Sequence, residues 1–289
     1  MLKKRIIATL VVRQGIVVQS IGFRSYLPVG RPEIAIEFLN DWGVDEIVLL
    51  DISATVESRG PDMAMVERTA KRCRVPLLVG GGIRTLAHAR QLVHSGADKV
   101  AFNQASLHTP NLLTQVANVL GNQCVVGAID GVRATSGYKV YDYVLRQTTS
   151  QAPTDLAQAL VRLGCGEIFI QSVDRDGSRE GFDLALVQAV RKSVDVPVIC
   201  CGGAGCAAHF VEVFQGADVH AAAAANFFHY TEHSVTVTKA ALLRAGILVR
   251  DDTHANYLEN PLGENERLKK KTDQALEEML FVRIEKEVI

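Results

Sequence analysis

Glu46-Ile47-Val48-Leu49-Leu50-Asp51 is echoed 121 residues later by Glu167-Ile168-Phe169-Ile170-Gln171-Ser172. Further pairs recur at the same offset: Val75-Pro76 with Val196-Pro197, and Gly81-Gly82 with Gly202-Gly203. The pattern breaks in the strand that opens each half, where Val11 takes the place that Asp130 has in the second half. The sequence therefore predicts two similar halves that differ at one chemically important position.

Apolar, β-rich runs alternate with helix-like stretches, at residues 5–12, 45–51, 75–80, 98–102, 124–130, 166–172, 196–201 and 218–225. Near-continuous hydrophobicity, as in Ile47-Val48-Leu49-Leu50, is typical of strands covered on both faces and hence of a parallel sheet. Eight such units in two similar halves predict an α/β fold, a (β/α)8 TIM barrel of two half-barrels over residues 1–249. A doubly wound open sheet is the alternative, which the near-equivalence of the halves disfavours.

The composition of the sequence changes after Val249, where polar and charged residues become frequent. Residues 250–289 are predicted to form a C-terminal extension, and residues 264–289 within it look helical, with an apolar stripe at Leu268, Thr272, Ala275, Leu276 and Met279. A helix that packs on the barrel or on another subunit fits this pattern.

Charge and hydropathy restrict the class of partner. The formal net charge of the 289-residue chain is −1, and the barrel part has no long basic run, which argues against nucleic acid or an anionic membrane as partner. The basic start followed by an apolar run imitates a secretory signal, but the run stops at Arg13-Gln14 without a small-residue cleavage site. With no stretch of membrane-spanning length, a soluble, cytoplasmic protein is expected.

Six cysteines are predicted to be reduced thiols. A metal cluster at Cys200-Cys201 and Cys206 is disfavoured, because adjacent strand residues point to opposite faces and no histidine has ligand spacing. Neither a metal nor an organic cofactor is predicted.

Glycine-rich turns follow the third and seventh predicted strands, at Gly80-Gly81-Gly82 and Gly202-Gly203. Glycine lets the backbone approach an anion, and the following helix start offers free N–H groups. Two such turns in equivalent positions predict a ligand with two anionic ends. The long connection from Arg13 to Arg31 is predicted to be a substrate lid, with an inert insertion as the alternative. Asp174-Arg175-Asp176-Gly177 either orients hydroxyl groups of a substrate or forms a solvent-facing turn.

Seven segments taken in order resemble the cyclase subunit of imidazole glycerol phosphate synthase: Arg5-Ile6-Ile7, Leu50-Asp51-Ile52, Val79-Gly80-Gly81-Gly82-Ile83-Arg84, Gly96-Ala97-Asp98-Lys99-Val100, Ala128-Ile129-Asp130, Asp174-Arg175-Asp176-Gly177 and Gly202-Gly203-Ala204-Gly205. The resemblance runs from residue 1 to about residue 249. It implies a barrel that receives ammonia from a glutaminase subunit docked at the amino-terminal ends of its strands and passes it to a substrate at the other end.

The resemblance also implies a ring of four charged residues that closes the ammonia entrance, at Arg5, Glu46, Lys99 and Glu167. Each stands at or near the start of a predicted strand, where charged residues are ordinarily just solvated. Two cations and two anions can form a neutral, hydrogen-bonded network. We therefore expect an ammonia gate at these positions.

Only some of the residues that bind phosphate in the family are present in this sequence. Gly82 and Asn103 match the first site of the family, but Gln104 stands where a hydroxyl residue is expected. At the second site the matching positions are Asp176, Gly177, Gly203 and Ala224, and Ala225 stands where serine is expected. Backbone donors remain while side-chain hydroxyls are lost, so weakened phosphate binding is expected at both ends.

Val11 is the main departure from the family pattern. Family members that cyclise the histidine-pathway intermediate use two opposed aspartates as acid and base, and here only Asp130 is present. Each such proton-transfer role is typically worth about 100- to 10,000-fold in rate. Gln19 also replaces the lysine expected in the mobile loop. Ordinary imidazole glycerol phosphate synthesis is therefore predicted to be severely impaired.

An intact ammonia route with an altered chemical end resembles divergent cyclase-like proteins linked to surface polysaccharide (lipopolysaccharide) synthesis. That resemblance implies a subunit that presents ammonia while an acetamido sugar becomes an acetamidino sugar, with a glutaminase and an ATP-dependent amidotransferase as partners and a small anionic or sugar-like substrate. The alternatives are a true cyclase subunit in histidine biosynthesis and a non-catalytic scaffold that activates a glutaminase.

Overall fold

The computed structural model describes residues 3–231 and 233–251, together with residues 263, 269, 272 and 274. The predicted C-terminal helix over residues 264–289 thus lies outside the described residues, apart from three isolated positions. No helix among the described residues has the length and apolar character needed to cross a lipid bilayer.

Eight parallel strands close into the predicted barrel. In barrel order they are β1 (Arg5–Arg13), β4 (Glu46–Asp51), β5 (Leu77–Gly80), β6 (Lys99–Phe102), β7 (Val125–Ala134), β10 (Glu167–Ser172), β11 (Val198–Cys201) and β12 (Ala221–Ala224). Each strand pairs in parallel with the next, and β12 returns to β1 with Arg5 opposite Ala221. The prediction of a (β/α)8 barrel is confirmed.

Helices connect the strands and pack around the barrel. They are α1 (Pro32–Asp41), α2 (Ile52–Val56), α3 (Met63–Ala70), α4 (Leu86–His94), α5 (Gln104–His108), α6 (Asn111–Leu120), α7 (Pro153–Arg162), α8 (Leu184–Ser193), α9 (Ala207–Ala217), α10 (Asn226–Tyr230) and α11 (Ser234–Arg244), with a short 3-10 helix at Asn122–Cys124. Side chains at several helix starts accept hydrogen bonds from the free backbone N–H groups there. For example, Asp51 caps α2 and Thr85 caps α4.

The apolar core has two parts, as expected for a barrel. The larger part lies between strands and helices, and the smaller part fills the barrel interior with ten buried residues, among them Ile7, Val48 and Val126. Cys200 belongs to the outer part and Cys201 to the inner one. The two adjacent thiols therefore point to opposite sides of the strand, as the alternation of side chains requires.

Two hairpins extend the strands that open each half-barrel. β1 continues through a turn at Gln14-Gly15 into β2 (Ile16–Ile21) and β3 (Ser25–Gly30), and β7 continues into β8 (Gly137–Asp142) and β9 (Gln147–Thr148). The long connection over residues 13–31 is thus not irregular, since most of it is antiparallel sheet. The repeat seen in the sequence extends to these hairpins.

Candidate functional site

A cavity of about 730 Å³ opens at the carboxyl ends of the barrel strands. All eight strands contribute to its lining, and the two hairpins form part of its rim. This end of a (β/α)8 barrel is where enzymes of this fold carry their active sites.

Val11 and Asp130 both line the cavity, on strands that lie diametrically opposite in the barrel. Asp130 is 9% exposed, and the side-chain amide of Asn103 donates a hydrogen bond to its Oδ2 at 3.0 Å. Burial raises the pKa of Asp130 from 3.8 to about 7; the bond from Asn103 opposes this, while Asp176 and Asp142 add to it. Asp130 can therefore exchange a proton near neutral pH, whereas the opposite wall presents the apolar side chain of Val11.

One backbone N–H and two side-chain amides at the first expected phosphate site donate to groups of the protein. The backbone N–H of Gly82 donates to Thr55 Oγ1 at 3.2 Å, and the amide group of Asn103 is used by Asp130. Gln104 Nε2 donates to Asp142 at 3.0 Å. Gly82, Asn103 and Gln104 all line the cavity, and the three hydrogen bonds named above run to acceptors of the protein.

Asp142 organises this end of the cavity and was not singled out from the sequence. Its buried carboxylate accepts hydrogen bonds from Gln104, from His108 Nε2 at 2.9 Å and from the backbone N–H groups of Val144 and Leu145. Burial alone would raise the pKa of Asp142, but these donors hold it below its ordinary value. His108 and Gln104 are more than thirty residues away in the chain, so no local motif reveals the network.

The residues expected at the second phosphate site hold the first hairpin in place. Asp176 Oδ2 accepts from Ser20 Oγ at 2.7 Å and from the backbone N–H of Phe23 at 3.0 Å. Gly177, at φ 70°, lies so close to the backbone of Ser20 that a Cβ would stand 2.7 Å from the Ser20 carbonyl oxygen. Burial raises the pKa of Asp176, and the bond from Ser20 opposes the rise. Asp176 is therefore an internal acceptor and not a solvent-facing turn residue.

Gly203 and Ala224 also line the cavity, beside Ala225. A Cβ on Gly203, at φ 102°, would overlap the carbonyl oxygen of Gly181. Chain packing alone thus requires glycine here, whatever the ligand. Gln19 lies in β2 and is not part of the cavity lining, so the departure expected at this position does not alter the cavity wall.

Aromatic rings and arginines form the rim. Phe23 of the first hairpin meets Tyr141 of the second edge-on at 6.3 Å between ring centroids, and the Arg13 guanidinium lies 4.8 Å from the centroid of Tyr26. Arg146 also lines the opening. The two hairpins thus arch over the cavity from opposite strands, a contact that no sequence pattern predicts.

At the amino-terminal ends of the strands, the four predicted gate residues form a closed ring. Arg5 donates to Glu46 Oε2 at 2.5 Å and to Glu167, while Lys99 Nζ lies 2.9 Å from Glu46 Oε1 and 2.8 Å from Glu167 Oε2. Each carboxylate accepts from both cations, so charges alternate around the ring. Burial alone would lower the pKa of Arg5, but Glu167 and Glu46 raise it above its ordinary value.

The glutamates of the ring are almost fully buried, with side-chain exposures of 2% for Glu46 and 6% for Glu167, while Lys99 is 20% exposed. A neutral ring with every carboxylate oxygen paired meets the condition under which buried charges are tolerated. Ordinary solvated charges at strand starts, the alternative for these positions, are therefore excluded for both glutamates.

Comparison with known proteins assigns the family. The model of the histidine biosynthesis protein family matches residues 5–234. The imidazole glycerol phosphate synthase subunit HisF of Anoxybacillus flavithermus (strain DSM 21510 / WK1) is 44% identical over 252 residues, 86% of this chain and all of that protein. The corresponding HisF subunit of Streptococcus sanguinis (strain SK36) is 43% identical over 251 residues, with the same coverage.

A protein of Vibrio vulnificus (strain YJ016), provisionally named imidazole glycerol phosphate synthase subunit hisF2, is 41% identical over 260 residues, 89% of this chain and 94% of that protein. The names of these relatives agree with one another and with the family model. The chain belongs to the histidine biosynthesis protein family, among the HisF-type cyclase subunits of imidazole glycerol phosphate synthase.

Proposed function

We propose that this chain is a synthase subunit that takes up ammonia at the ring of Arg5, Glu46, Lys99 and Glu167, conducts it through the barrel and delivers it to a substrate in the cavity. The observation that carries this proposal is the alignment of three features along one barrel: the neutral ring at one end, an apolar interior, and a cavity with a titratable carboxyl at the other.

The interior suits neutral ammonia and disfavours ammonium. Its apolar residues are aliphatic side chains, alanines, Phe169 and Cys201, and the buried hydroxyl of Thr9 lies 4.0 Å from the Cys201 sulfur. Moving an unpaired charge into such surroundings is costly, while a small neutral molecule avoids that cost. Ammonia that enters through the ring would therefore travel unprotonated and remain a nucleophile when it reaches the cavity.

A separate glutaminase is the proposed source of ammonia, docked on the face that carries the ring. The names of the relatives support this, because each is a subunit of imidazole glycerol phosphate synthase. They also favour the histidine-pathway cyclisation over formation of an acetamidino sugar, since none refers to a sugar substrate.

Asp130 is the proposed acid–base group of the cavity. A carboxyl with a pKa of about 7 can accept a proton from attacking ammonia and return it to a leaving oxygen, provided that the two steps follow one another. A second group on the opposite wall would let both transfers occur in one arrangement, and Val11 cannot supply it.

Val11 favours a second candidate function, in which the chain presents ammonia to an acetamido sugar activated by an ATP-dependent partner. In that reaction the activated oxygen leaves on the partner's side, so the cavity needs a single proton acceptor. This reaction therefore needs no second proton-transfer group at the position of Val11.

The two functions are distinguished by supplying purified chain with ammonium salt and the histidine-pathway intermediate. Cyclisation at a rate that depends on the free ammonia concentration supports the first. A rate at the uncatalysed level, with ammonia-dependent change of an acetamido sugar in the presence of its ATP-dependent partner, supports the second.

An Asp130→Asn variant is the control, because it keeps the shape of the side chain and removes the titratable group. Turnover that is the same in this variant would overturn the acid–base role. Absence of any ammonia-dependent product, together with stimulation of a co-purified glutaminase, would leave only a scaffold that activates its partner.

A further inference from the structure

The outer face of α11 is buried, which sets this helix apart from its neighbours. Outer helices of a barrel normally turn a polar face to solvent, as α7 does with Asp155, Gln158 and Arg162. In α11 every residue from 234 to 240 is buried. Because successive helical residues are about 100° apart around the axis, a run of this length points in every direction. The first turns of α11 are therefore enclosed on all sides.

Val237 and Ala240 lie on this outer face. Two other residues of the helix, Val235 and Leu242, belong to the apolar core between strands and helices. Val237 and Ala240 are each two positions away from one of these, which places them on the opposite side of the helix axis. They are only 4% and 6% exposed, but they belong to neither part of the apolar core. Since α9 and α10 are the described helices that pack most closely on α11, the outer face needs a further partner.

The C-terminal extension starts beside this helix. α11 ends at Arg244, and the chain that follows is held at the same end of the barrel. Val249 pairs with Lys4 just before β1, and the ammonium of Lys3 lies 3.8 Å from the carboxylate of Asp251. A segment that leaves from this point needs to cover only about 16 Å to run back along the whole of α11.

The extension is also an addition to the fold of the relatives. The HisF subunits of Anoxybacillus flavithermus and Streptococcus sanguinis are matched over their whole length by 252 and 251 residues of this chain. The family model begins at residue 5, so the unmatched residues of this chain lie at its carboxyl end. An extra segment and an extra apolar helix face thus occur in one molecule.

Only the later part of the extension suits a buried position. Three residues in its earlier part are described, and all three are exposed: Lys269, Thr272 and Gln274. The run over residues 275–282 follows directly and is mainly apolar. In a helix its side chains Leu276 and Met279 share one face, because they are three positions apart.

We propose that residues 275–282 form an amphipathic helix that packs on the outer face of α11, with Leu276 and Met279 against Val237 and Ala240. The occupant of the face is thus a segment of the same chain. The inference concerns an interaction surface and does not depend on the function proposed above.

This contact would support the ring indirectly. α11 carries Lys239, whose ammonium lies 2.7 Å from Oδ1 of the buried Asp45, and Oδ2 of Asp45 accepts the backbone N–H of Ile6 at 2.7 Å. Asp45 and Ile6 are the immediate chain neighbours of Glu46 and Arg5 in the ring. A segment that fastens α11 from outside therefore stabilises the helix on which this part of the ring rests.

Hydrogen exchange of the full chain, read by mass spectrometry, tests the contact. Peptides from residues 275–282 should be protected in the unmodified chain. Leu276→Asp puts a charge into the contact, so residues 275–282 and 234–244 should both exchange about tenfold faster or more. Thr272→Asp is the matched control, since it adds the same charge at an exposed position of the same segment and should leave both regions unchanged.

Ala240→Asp is the reciprocal variant and should release residues 275–282 in the same way. Met279→Asp repeats the test from the extension, should the charge on α11 disturb the barrel. Fast exchange of residues 275–282 in the unmodified chain would overturn the inference, as would equal exchange of α11 in Leu276→Asp and Thr272→Asp. Protection that disappears on dilution, together with a dimer seen by light scattering, would also overturn it, because a second copy would then cover the face.

Discussion

At the scale of single residues, the two opposite walls of the cavity differ in their chemistry because one carries Val11 and the other Asp130. They occupy equivalent strands of the two half-barrels and face one another across the opening, but only one can carry a proton. In a protein built from two similar halves, such an asymmetry identifies the position at which the two halves differ in what they can do chemically.

Replacing Val11 with aspartate should raise ammonia-dependent cyclisation of the histidine-pathway intermediate by about 100-fold or more, because it returns the second proton-transfer group. Initial rates at saturating ammonium measure this. Val11→Asn is the matched control, with the same shape as aspartate but no titratable group. Equal rates in the two variants would show that the missing carboxyl is not what limits the reaction.

Asp130→Asn should stabilise the protein at pH 8. The folded-state pKa of Asp130 is raised to about 7 from 3.8, so between these values folding keeps a proton that the unfolded chain releases. Asp130 therefore lowers the free energy of unfolding. This loss is absent below pH 4, grows as pH rises to 7 and reaches about 4 kcal/mol above that. Urea unfolding of both proteins at pH 5 and pH 8 checks this.

The stability difference should be about two to three times larger at pH 8 than at pH 5, while turnover is lost at both. A difference that does not change with pH would mean that Asp130 is ionised throughout, contrary to its burial. Improved stability with lost activity is expected when a buried ionisable group serves function.

At the scale of elements, the barrel strands were predictable because each is a short, nearly continuous apolar run. The predicted run over residues 75–80 begins as a strand only at Leu77, since Pro76 has no N–H to pair. The run over residues 218–225 begins at Ala221, because Asp218 adopts a left-handed conformation at φ 47° and ends α9. The ends of a strand thus depend on which residues can pair and which backbone angles they adopt, and a hydrophobicity pattern does not contain this information.

The first hairpin was missed although the sequence carries its signal. Gln14-Gly15 forms a two-residue turn with φ of 51° and 77°, of the kind that glycine favours between paired strands. The Asp142 network had no such signal, since its side-chain partners Gln104 and His108 lie in helix α5, more than thirty residues earlier in the chain. The charged ring was predictable only through resemblance, because nothing local tells that four strand starts will meet.

Asn226 fastens the first hairpin over the cavity. Its amide nitrogen donates to the carbonyl of Ser20 at 2.7 Å, and its Oδ1 accepts the backbone N–H of Ser20 at 3.2 Å. Asn226→Ala should speed hydrogen exchange throughout residues 16–30, because the hairpin would open more often. If the hairpin covers bound substrate, the variant should also raise KM more than it lowers kcat. Exchange measured by mass spectrometry on peptides from this hairpin is the direct readout.

Asn40→Ala is the control for this prediction. Asn40 bridges backbone groups of Arg72 and Arg74 in the same two-bond manner, but it does so away from the cavity. It should speed exchange near residues 72–74 and leave the hairpin unchanged. Faster exchange of the hairpin in both variants would indicate general loosening of the barrel and not release of a local fastening.

At the scale of the whole molecule, the charged ring and the cavity lie at opposite ends of the barrel, so the length of the barrel separates them. The ring at the amino-terminal ends is charged but neutral overall, and the cavity at the carboxyl ends is negative near Asp130. The apolar interior lies between them. In the function proposed above, coupling between glutamine use and product formation would depend on what passes the ring.

Lys99→Ala should uncouple the two ends in a complex with the glutaminase. Loss of Lys99 leaves Glu46 and Glu167 with Arg5 as their remaining cation in the ring, so the ring opens and its ammonia escapes. Glutamine hydrolysis should stay largely intact, while product formed per glutamine falls severalfold. Both are measured in one assay, as glutamate and product released together.

The variant should also unfold at a lower temperature, because two buried carboxylates lose a partner, although the partial exposure of Lys99 reduces this cost. Lys71→Ala is the control: it breaks the exposed pair with Glu67, which is far from the ring, and should alter neither coupling nor stability appreciably. Supplying free ammonium to the Lys99 variant should restore its rate, since the cavity is untouched. Coupling that is unchanged in Lys99→Ala, with normal hydrolysis, would mean that ammonia does not pass this ring.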